Sequence, residues 1–286
     1  MGSVSDAMKR RQAEQAAREQ KPTEQKPAAE PKGPGPVQAA LAAARSAAEA
    51  QPPEEAAPPP RVRNANYSSL LCVHADRGGG NAEAYRALRT NLLAQCNNQQ
   101  FCHVVTSSVS GEGKTVTCLN LALVMAERQD CQTVVVDCDL RRGQVARLLK
   151  GKRAPGVTEL LRGEVKMEDV LQPTAYPNLS FISCGKAAGN EVGELITRPS
   201  LAELFKNLRR RYDYVLIDTP PMNLVAETGM IGRLVGEVLL VVRANKTKAD
   251  SVQQAVRLLR AAGIHVAGLV LNQQTEQAGS YSYNYY

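Results

Sequence analysis

The chain of 286 residues has no tryptophan, only three phenylalanines and only three histidines, and none of its seven cysteines forms a C-x-x-C pair. No histidine stands at metal-ligand spacing, so we expect the cysteines to be reduced and buried. Long apolar runs are absent, which predicts no transmembrane helix, and the amino terminus has no signal-peptide core. These absences predict a cytoplasmic protein. Work at a membrane would then require a partner that brings it there.

The formal net charge is +7. Charge of this size permits contact with an anionic surface but identifies no reaction. The basic residues are interspersed with acidic ones, and no stretch combines basic residues with aromatic ones as a single-strand binding surface does. We therefore expect no nucleic-acid partner.

Composition divides the chain into three parts. Residues 1–62 are rich in Ala, Pro, Glu and Gln with few large apolar side chains, which predicts a disordered extension that serves as a spacer or as a docking segment. Residues 63–276 have the pattern of a folded domain, in which 63–80 read as a transition that ends in a flexible Gly78-Gly79-Gly80 hinge. Residues 277–286 read as a flexible tyrosine-rich tail.

Strand and helix patterns alternate beyond residue 80. Short apolar runs predict strands at 101–106, 133–136, 179–182, 214–217, 238–242 and 266–271, and helical spacing predicts helices from 81 and over 114–128, 200–211 and 250–262. Continuously apolar strands that alternate with helices are typical of a parallel sheet covered on both faces. The sequence therefore predicts a doubly wound α/β fold with functional loops at one edge of the sheet.

The loop after the first strand, residues 106–115, reads T-S-S-V-S-G-E-G-K-T. A strand before it and a helix after it are the context of a phosphate-binding loop, although Ser108 replaces the usual first glycine. Glycines let the backbone wrap around phosphate oxygens, Lys114 can reach the β- and γ-phosphates, and the Thr115 hydroxyl can ligate Mg²⁺. The predicted ATP contacts are Ser110, Gly111, Glu112, Gly113, Lys114, Thr115 and Val116.

Polar residues also follow three later strands. Asp137 and Asp139 can hold Mg²⁺ and orient a hydroxyl nucleophile, or else cap the next helix. Asp218, at the end of its strand, is placed to support Mg²⁺. Asn272 can read the edge of adenine with its amide, although an ordinary turn residue fits its position equally well.

The order S-G-E-G-K-T, V-V-V-D-C-D-L-R-R and V-L-I-D-T-P-P resembles the bacterial tyrosine kinases (BY-kinases), which belong to the wider group of the MinD and ParA ATPases. Asp137, Asp139 and Arg141 match the D-x-D-x-R of the family's second motif. The early lysine that is usual in the MinD and ParA loop is absent from residues 101–113. The resemblance covers about residues 66–286.

A second element strengthens this resemblance. Glu83, Arg86 and Arg89 match the family's E-x-x-R-x-x-R element, which mediates ring-like self-association. Their spacing places all three on one helix face, where a solvated, self-paired charged face is the alternative interpretation. The family also carries a tyrosine cluster that is autophosphorylated between subunits, and the matching tyrosines here are Tyr281, Tyr283, Tyr285 and Tyr286.

The resemblance implies an ATP-dependent protein-tyrosine autokinase with Mg²⁺ as cofactor, in which Lys114, Asp137, Asp139 and Asp218 carry the catalysis. Thr115, Asp139 and Asp218 would hold the metal. Asp137 would receive or orient the tyrosine proton, with the roles of Asp137 and Asp139 open to reversal.

The resemblance further implies control of exopolysaccharide or capsule biosynthesis and export. The expected partners are further copies of the chain, a separate membrane polysaccharide co-polymerase that activates it at the inner face of the cell membrane, and a protein-tyrosine phosphatase. The rival hypothesis is a MinD- or ParA-like ATPase switch without kinase activity. The missing early lysine, the charged element and the tyrosine tail favour the kinase.

Overall fold

The computed structural model describes residues 66–97 and 99–273. The predicted extension 1–62, the domain boundaries at 63 and 276, and the tail 277–286 lie outside these ranges. In chain order the described elements are α1 (Cys72–Ala75), α2 (Gly80–Gln95), β1 (Phe101–Ser107), α3 (Lys114–Met125), β2 (Thr133–Asp137), α4 (Val145–Leu148), α5 (Val157–Arg162), α6 (Met167–Val170), β3 (Leu171–Pro173), β4 (Leu179–Ile182), α7 (Val192–Thr197), α8 (Pro199–Arg211), β5 (Tyr214–Asp218), α9 (Glu227–Val235), β6 (Glu237–Arg243), α10 (Ala249–Ala261) and β7 (His265–Asn272).

The strands form one seven-stranded sheet in the order β3-β4-β2-β5-β1-β6-β7. Every neighbouring pair is parallel except β3 and β4, which run antiparallel at one edge. Every residue of β1, β2, β4 and β5 is buried, as expected where helices cover both faces of a sheet. The predicted doubly wound, mostly parallel fold is confirmed.

Two hydrophobic cores lie on the two faces of this sheet. One core packs α2 and α3 against one face; ten of the twelve residues of α3 are buried, and seven of them belong to this core. The other core packs α5, α7, α8, α9 and α10 against the opposite face. Burial of apolar surface on both faces provides the main stabilisation of such a sheet and holds its loops in place.

The segment before α2 differs from the predicted transition. Leu71 and Val73 are buried in the first core. The side chain of Asn120 on α3 accepts a hydrogen bond from the backbone N–H of Val73 (3.1 Å) and donates to the carbonyl of Leu70 (3.1 Å). Gly80 begins α2 instead of forming a hinge. The prediction of a transition was wrong because a distant helix satisfies the backbone of this segment.

Element ends differ slightly from the predictions. α3 ends at Met125, whereas the pattern predicted a helix through residue 128. The N–H of Arg128 bonds to the carbonyl of Met125 at 3.1 Å, which is the tighter turn often seen where a helix ends. In the described part of the chain, no helix is both long and apolar enough to cross a membrane.

Candidate functional site

The predicted phosphate loop lies between β1 and α3, at the carboxyl edge of the sheet. Gly111 and Gly113 have φ angles of 84° and 90°, which glycine adopts without steric cost. Gly113 is the residue before Lys114, the first residue of the twelve-residue helix α3. The loop therefore ends at a helix amino terminus, where free N–H groups and the helix dipole attract an anion.

Glu112 holds this loop from inside the protein. Its buried carboxylate accepts hydrogen bonds from the Val109 N–H (2.7 Å), the Ser108 hydroxyl (2.8 Å) and the hydroxyl of Thr247. Hydrogen bonds to a charged acceptor are strong, so they restrict the loop to one shape. Ser108 thus replaces the usual glycine with a side chain that has its own partner. The side chain of Glu112 is used within the protein, and its predicted contact with ATP stays a prediction.

Asn272 lies beside the same loop. Its side-chain N–H donates to the carbonyl of Glu112 at 2.9 Å. A methyl group on Gly113 would come within 2.1 Å of this amide nitrogen, so the glycine permits a close approach as well as a positive φ. Asn272 therefore connects the last strand to the phosphate loop, a contact that neither sequence interpretation of this residue included.

Lys114 stands among acidic oxygens. Its ammonium nitrogen lies 3.1 Å from Asp139 Oδ2, 3.5 Å from Asp218 Oδ1 and 3.2 Å from Thr115 Oγ1. Burial alone would lower the pKa of Lys114, but the charges of Asp218 and Asp139 outweigh burial and raise it. The lysine is therefore fully charged, and the structure brings together four residues that the sequence placed at three separate loops.

Asp218 and Thr115 form the innermost contact of this group. The Thr115 hydroxyl donates to Asp218 Oδ2 at 2.7 Å. Oδ1 of Asp218 is buried, and in the described part of the chain it has no hydrogen-bond partner. Burial raises the pKa of this carboxyl, an effect that Lys114 and Thr115 oppose only in part. The pair thus combines a hydroxyl oxygen with an incompletely satisfied carboxylate oxygen.

Asp137 and Asp139 have different surroundings. Asp137 is completely buried and accepts hydrogen bonds from the N–H groups of Asp139 (3.2 Å) and Val145 (3.0 Å). It lies directly opposite Asp218 in the pairing of β2 with β5. Burial, followed by the charge of Asp218, raises the pKa of Asp137 well above its usual range. Asp139 keeps some exposure and points one oxygen at Lys114.

Arg141, the last residue of the second motif, points away from this cluster. Its guanidinium donates to the carboxylate of Glu227 on α9 at 2.6 Å and to the carbonyl of Gly189 at 2.9 Å. Glu227 is buried. Glu227 had no predicted role, and its position as an acidic residue in the first turn of a helix is the only local signal of it.

The charged element on α2 has a partner that sequence reasoning missed. Arg86 Nε lies 3.0 Å from both carboxylate oxygens of Glu127, and Arg89 lies 2.9 Å from one of them. Hydrogen bonds from Arg86, and after them its charge, hold the pKa of Glu127 below its usual range, and burial opposes them only in part. Arg86 also contacts Glu83, which remains 64% exposed. Both arginines are therefore held by Glu127 within the chain, and Glu83 faces solvent.

The other predicted site residues are distributed as follows. Ser110 and Gly111 are exposed at the tip of the phosphate loop, and Val116 is half-buried in the first turn of α3. The four predicted phosphorylation sites, Tyr281, Tyr283, Tyr285 and Tyr286, lie outside the described residues.

Comparisons with known proteins identify tyrosine-protein kinases as relatives of this chain. A family model described as an AAA domain matches residues 104–262. The putative tyrosine-protein kinase CapB of Staphylococcus aureus is 30% identical over 219 residues, which cover 76% of this chain and 95% of CapB. The tyrosine-protein kinase Wzc of Salmonella typhi is 34% identical over 206 residues, which cover 71% of this chain and 28% of Wzc. The chain thus spans little more than a quarter of the length of Wzc.

Solved structures agree with the sequence relatives. The kinase domain of the Escherichia coli tyrosine kinase ETK matches with a TM-score of 0.70 and 30% identity, and the match covers 79% of this chain and 88% of that domain.

Proposed function

Because the chain belongs to the bacterial tyrosine-protein kinases and matches an AAA-domain model, we propose that it is an ATP-dependent protein-tyrosine kinase that phosphorylates its own carboxyl-terminal tail. One observation carries the proposal: the ammonium of Lys114 lies within 3.5 Å of oxygens from Thr115, Asp139 and Asp218. A cation, a hydroxyl and two carboxylates at the first turn of a helix suit a nucleoside triphosphate with its metal ion.

Mg²⁺ fits the oxygens in this site. Thr115 and Asp218 would hold it, because the buried Oδ1 of Asp218 has no hydrogen-bond partner in the described ranges and hard cations prefer oxygen ligands. When bound, the metal supplies positive charge beside the β- and γ-phosphate oxygens. Lys114 supplies the second positive charge, and it must leave its carboxylate partners to do so.

The proposed reaction is an in-line phosphoryl transfer. The phenolic oxygen of a tail tyrosine forms a bond to the γ-phosphorus of ATP, the bond from that phosphorus to the β–γ bridging oxygen breaks, and ADP leaves. The phenolic proton passes to a carboxylate of the site. The protein contributes mainly position and charge, which are the principal terms in this chemistry.

Geometry favours Asp139 as the carboxylate that orients the tyrosine hydroxyl. It is the more exposed of the pair and has an oxygen turned towards Lys114. Asp137 is completely buried and accepts two backbone N–H groups, so we assign it a positioning role in the loop after β2. This assignment reverses the roles first expected and takes Asp139 out of the predicted metal-ligand set, because a general base must reach the proton that it accepts.

Incubation with ATP and Mg²⁺ should add phosphate to the tail tyrosines. We expect mass spectrometry of the full chain to find phosphate on one or more of residues 281, 283, 285 and 286. Removal of residues 281–286 should eliminate most of the label while ATP binding remains, because every residue that the proposal assigns to ATP binding lies outside the tail. Hydrolysis of ATP without tyrosine phosphorylation would instead support a MinD- or ParA-like switch.

A mixing experiment tests whether one chain phosphorylates another. A Lys114→Met chain with an intact tail is combined with an active chain that lacks residues 281–286. Label on the Lys114→Met tail is the result expected for transfer between subunits. If the mixture stays unlabelled while the full-length chain alone becomes labelled, transfer occurs within one chain.

We also propose that Glu83 makes the contact with a neighbouring copy. Arg86 and Arg89 are held by Glu127 within the chain, while Glu83 is 64% exposed. Glu83→Ala should therefore shift the oligomer towards the monomer in light scattering after size-exclusion chromatography, with little change in melting temperature. The exposed Glu203 on α8 offers a matched control, and Glu203→Ala should leave the oligomer intact. Equal behaviour of the two variants would contradict the proposal.

The partners follow from the same family membership. We propose that the kinase controls exopolysaccharide or capsule biosynthesis and export, that a membrane polysaccharide co-polymerase activates it at the inner face of the membrane, and that a protein-tyrosine phosphatase removes the tail phosphates. Each phosphate brings about −1.5 to −2 charges. Several of them on one short tail would repel the triphosphate site, which gives the phosphatase a means of resetting the kinase.

A further inference from the structure

A second cluster of polar side chains lies at the amino-terminal ends of the parallel strands, opposite the phosphate loop. Among the described residues, Cys96, His103 and Glu237 place one ligand atom each within 4.8 Å of one another. His103 is the third residue of β1, Glu237 is the first residue of β6, and Cys96 follows the last residue of α2. The proposed kinase chemistry uses none of them.

The pairing of the strands brings a fourth residue to this cluster. Glu237 lies directly opposite His265, the first residue of β7. On the other side of β6, Val104 pairs with Val238, which brings the preceding residues, His103 and Glu237, next to each other. Nδ1 of His265 lies 3.6 Å from Glu237 Oε1, and Nδ1 of His103 lies 3.3 Å from Glu237 Oε2. Two of the chain's three histidines therefore meet at one carboxylate.

The strongest sign that this cluster binds a ligand is the buried imidazole of His103. This side chain is 1% exposed, yet Nδ1 has no hydrogen-bond partner in the described ranges. Glu237 Oε2 is close enough to Nδ1 for an ion pair, but the two atoms do not form a hydrogen bond. Buried polar nitrogens are almost always hydrogen-bonded, so each exception calls for an explanation. Burial lowers the pKa of this imidazole, which keeps it in the neutral form that binds metals.

We propose that Cys96, His103, Glu237 and His265 bind one zinc ion. A thiolate, two imidazoles and a carboxylate are the ligand types found in tetrahedral zinc sites. Bond lengths of about 2.0–2.3 Å place neighbouring ligand atoms about 3.3–3.7 Å apart, so the cluster of Cys96, His103 and Glu237 has to contract by roughly 1 Å. His265 lies outside that cluster and has to swing towards it. The exposed imidazole of His265 and the carboxylate of Glu237 can move to close it.

Solvent has access to this site. A cavity of about 480 Å³ lies beside it and is lined by Cys96 and Glu237, together with Gln100, Arg209 and Asp213 among others. A bound ion would tie the end of α2 to β1, β6 and β7. Since α2 carries the charged element with Glu83, the ion would fix the helix that we propose meets a neighbouring copy.

Zinc binding can be measured on the full chain, expressed without a histidine tag and freed of metal with a chelator. Titration with ZnCl₂ is followed by calorimetry in millimolar Mg²⁺, which occupies the oxygen site at Asp218. We expect one Zn²⁺ per chain and a melting temperature that rises by roughly 5 °C at a hundredfold excess over Kd. Cobalt in place of zinc should give a thiolate-to-metal charge-transfer band.

Two variants and one control make the result specific. Cys96→Ser should lower zinc affinity at least about tenfold and abolish the cobalt band, and His265→Ala, which changes an exposed side chain, should lower affinity while the fold stays intact. Cys72→Ser changes another half-buried cysteine, outside the cluster, and should bind zinc like the unmodified chain. No binding near one equivalent, or equal affinity of the Cys96→Ser and Cys72→Ser chains, would overturn the proposal.

Discussion

Replacing Lys114 with methionine should reduce tyrosine phosphorylation by at least about 10³-fold, the scale expected when a main charge contact of the transition state is lost. The ammonium is the only cationic group found within 3.5 Å of Asp139 and Asp218 in the described part of the chain. Methionine keeps the length and the apolar stem of lysine, so the helix start at residue 114 is retained. The measurement is the rate of tail phosphorylation at saturating ATP and Mg²⁺.

The matched control is Lys206→Met, which changes an exposed lysine within the helix α8 in the same way. The Lys206→Met chain should phosphorylate its tail at the rate of the unmodified chain. Loss of the ammonium also leaves two buried carboxylates without their cation, so a lower melting temperature is expected for the Lys114→Met chain. Circular dichroism at the assay temperature verifies that the variant is folded. A folded Lys114→Met chain with nearly full activity would contradict the assignment of Lys114 to the phosphate-binding site.

The same substitution tests the proposed pathway. A strain whose only copy of this protein carries Lys114→Met should make less capsule or exopolysaccharide, or make chains of altered length, while the Lys206→Met strain should not differ from its parent. Unchanged polysaccharide in a strain that has lost tail phosphorylation would separate the kinase activity from polysaccharide control.

The strands and the phosphate loop were predictable because their signals are local. Strands β1, β2, β4 and β5 are continuously buried and mostly apolar since helices cover both of their faces, and each predicted boundary lies within one residue of the observed one. The loop between β1 and α3 carries its glycines and lysine in consecutive positions. Its neighbours at residues 137, 139 and 218 follow from the rule that parallel strands end at one edge.

The short elements were not predictable from periodicity. Helices α4, α5, α6 and α7 have four to six residues each, less than two turns, so no apolar spacing can repeat within them. The buried segment that includes Leu71 and Val73 was missed for another reason. Its backbone is satisfied by Asn120 on α3, 47 to 50 residues away in sequence, and no local pattern reports such a contact.

Several partners at long sequence separation were missed. Glu127 holds the arginines of α2 from 38 and 41 residues away, and Glu227 holds Arg141 from 86 residues away. The cluster at Cys96 draws its residues from the end of one helix and the starts of three strands. Sequence spacing gave no signal for this cluster because such rules look for ligands within one segment, and each residue of the cluster lies in or next to a different element.

Asparagine substitutions should separate the roles of Asp137 and Asp139. Asp139→Asn should lower the rate of phosphorylation at least about 10²-fold, the lower limit of a general-base contribution. Its melting temperature should change less than that of the Asp137→Asn chain, because Asp139 is 5% exposed whereas Asp137 is completely buried, and the asparagine oxygen can still accept the Arg142 N–H that Asp139 binds at 2.9 Å. Asp137→Asn should have the smaller effect on rate and the larger effect on stability.

The stability of the nucleotide-free chain should depend on pH through Asp137. A carboxyl whose folded-state pKa lies above its unfolded value binds its proton more tightly in the folded protein. Its stabilising contribution is therefore complete at low pH and is lost as the pH rises above about 4 towards the raised folded-state pKa. The loss can reach about 1.4 kcal/mol per pH unit for one proton.

Urea unfolding between pH 5 and pH 8 measures this effect directly. The unmodified chain should lose stability with rising pH, and Asp137→Asn should flatten that slope because asparagine does not titrate. Asp139→Asn retains Asp137 and should keep the slope. Asp218 is buried opposite Asp137 with a raised pKa of its own, so part of the slope should remain in the Asp137→Asn chain. If Asp137→Asn instead abolishes phosphorylation while its slope matches that of the unmodified chain, Asp137 is the proton acceptor and the assignment must be exchanged.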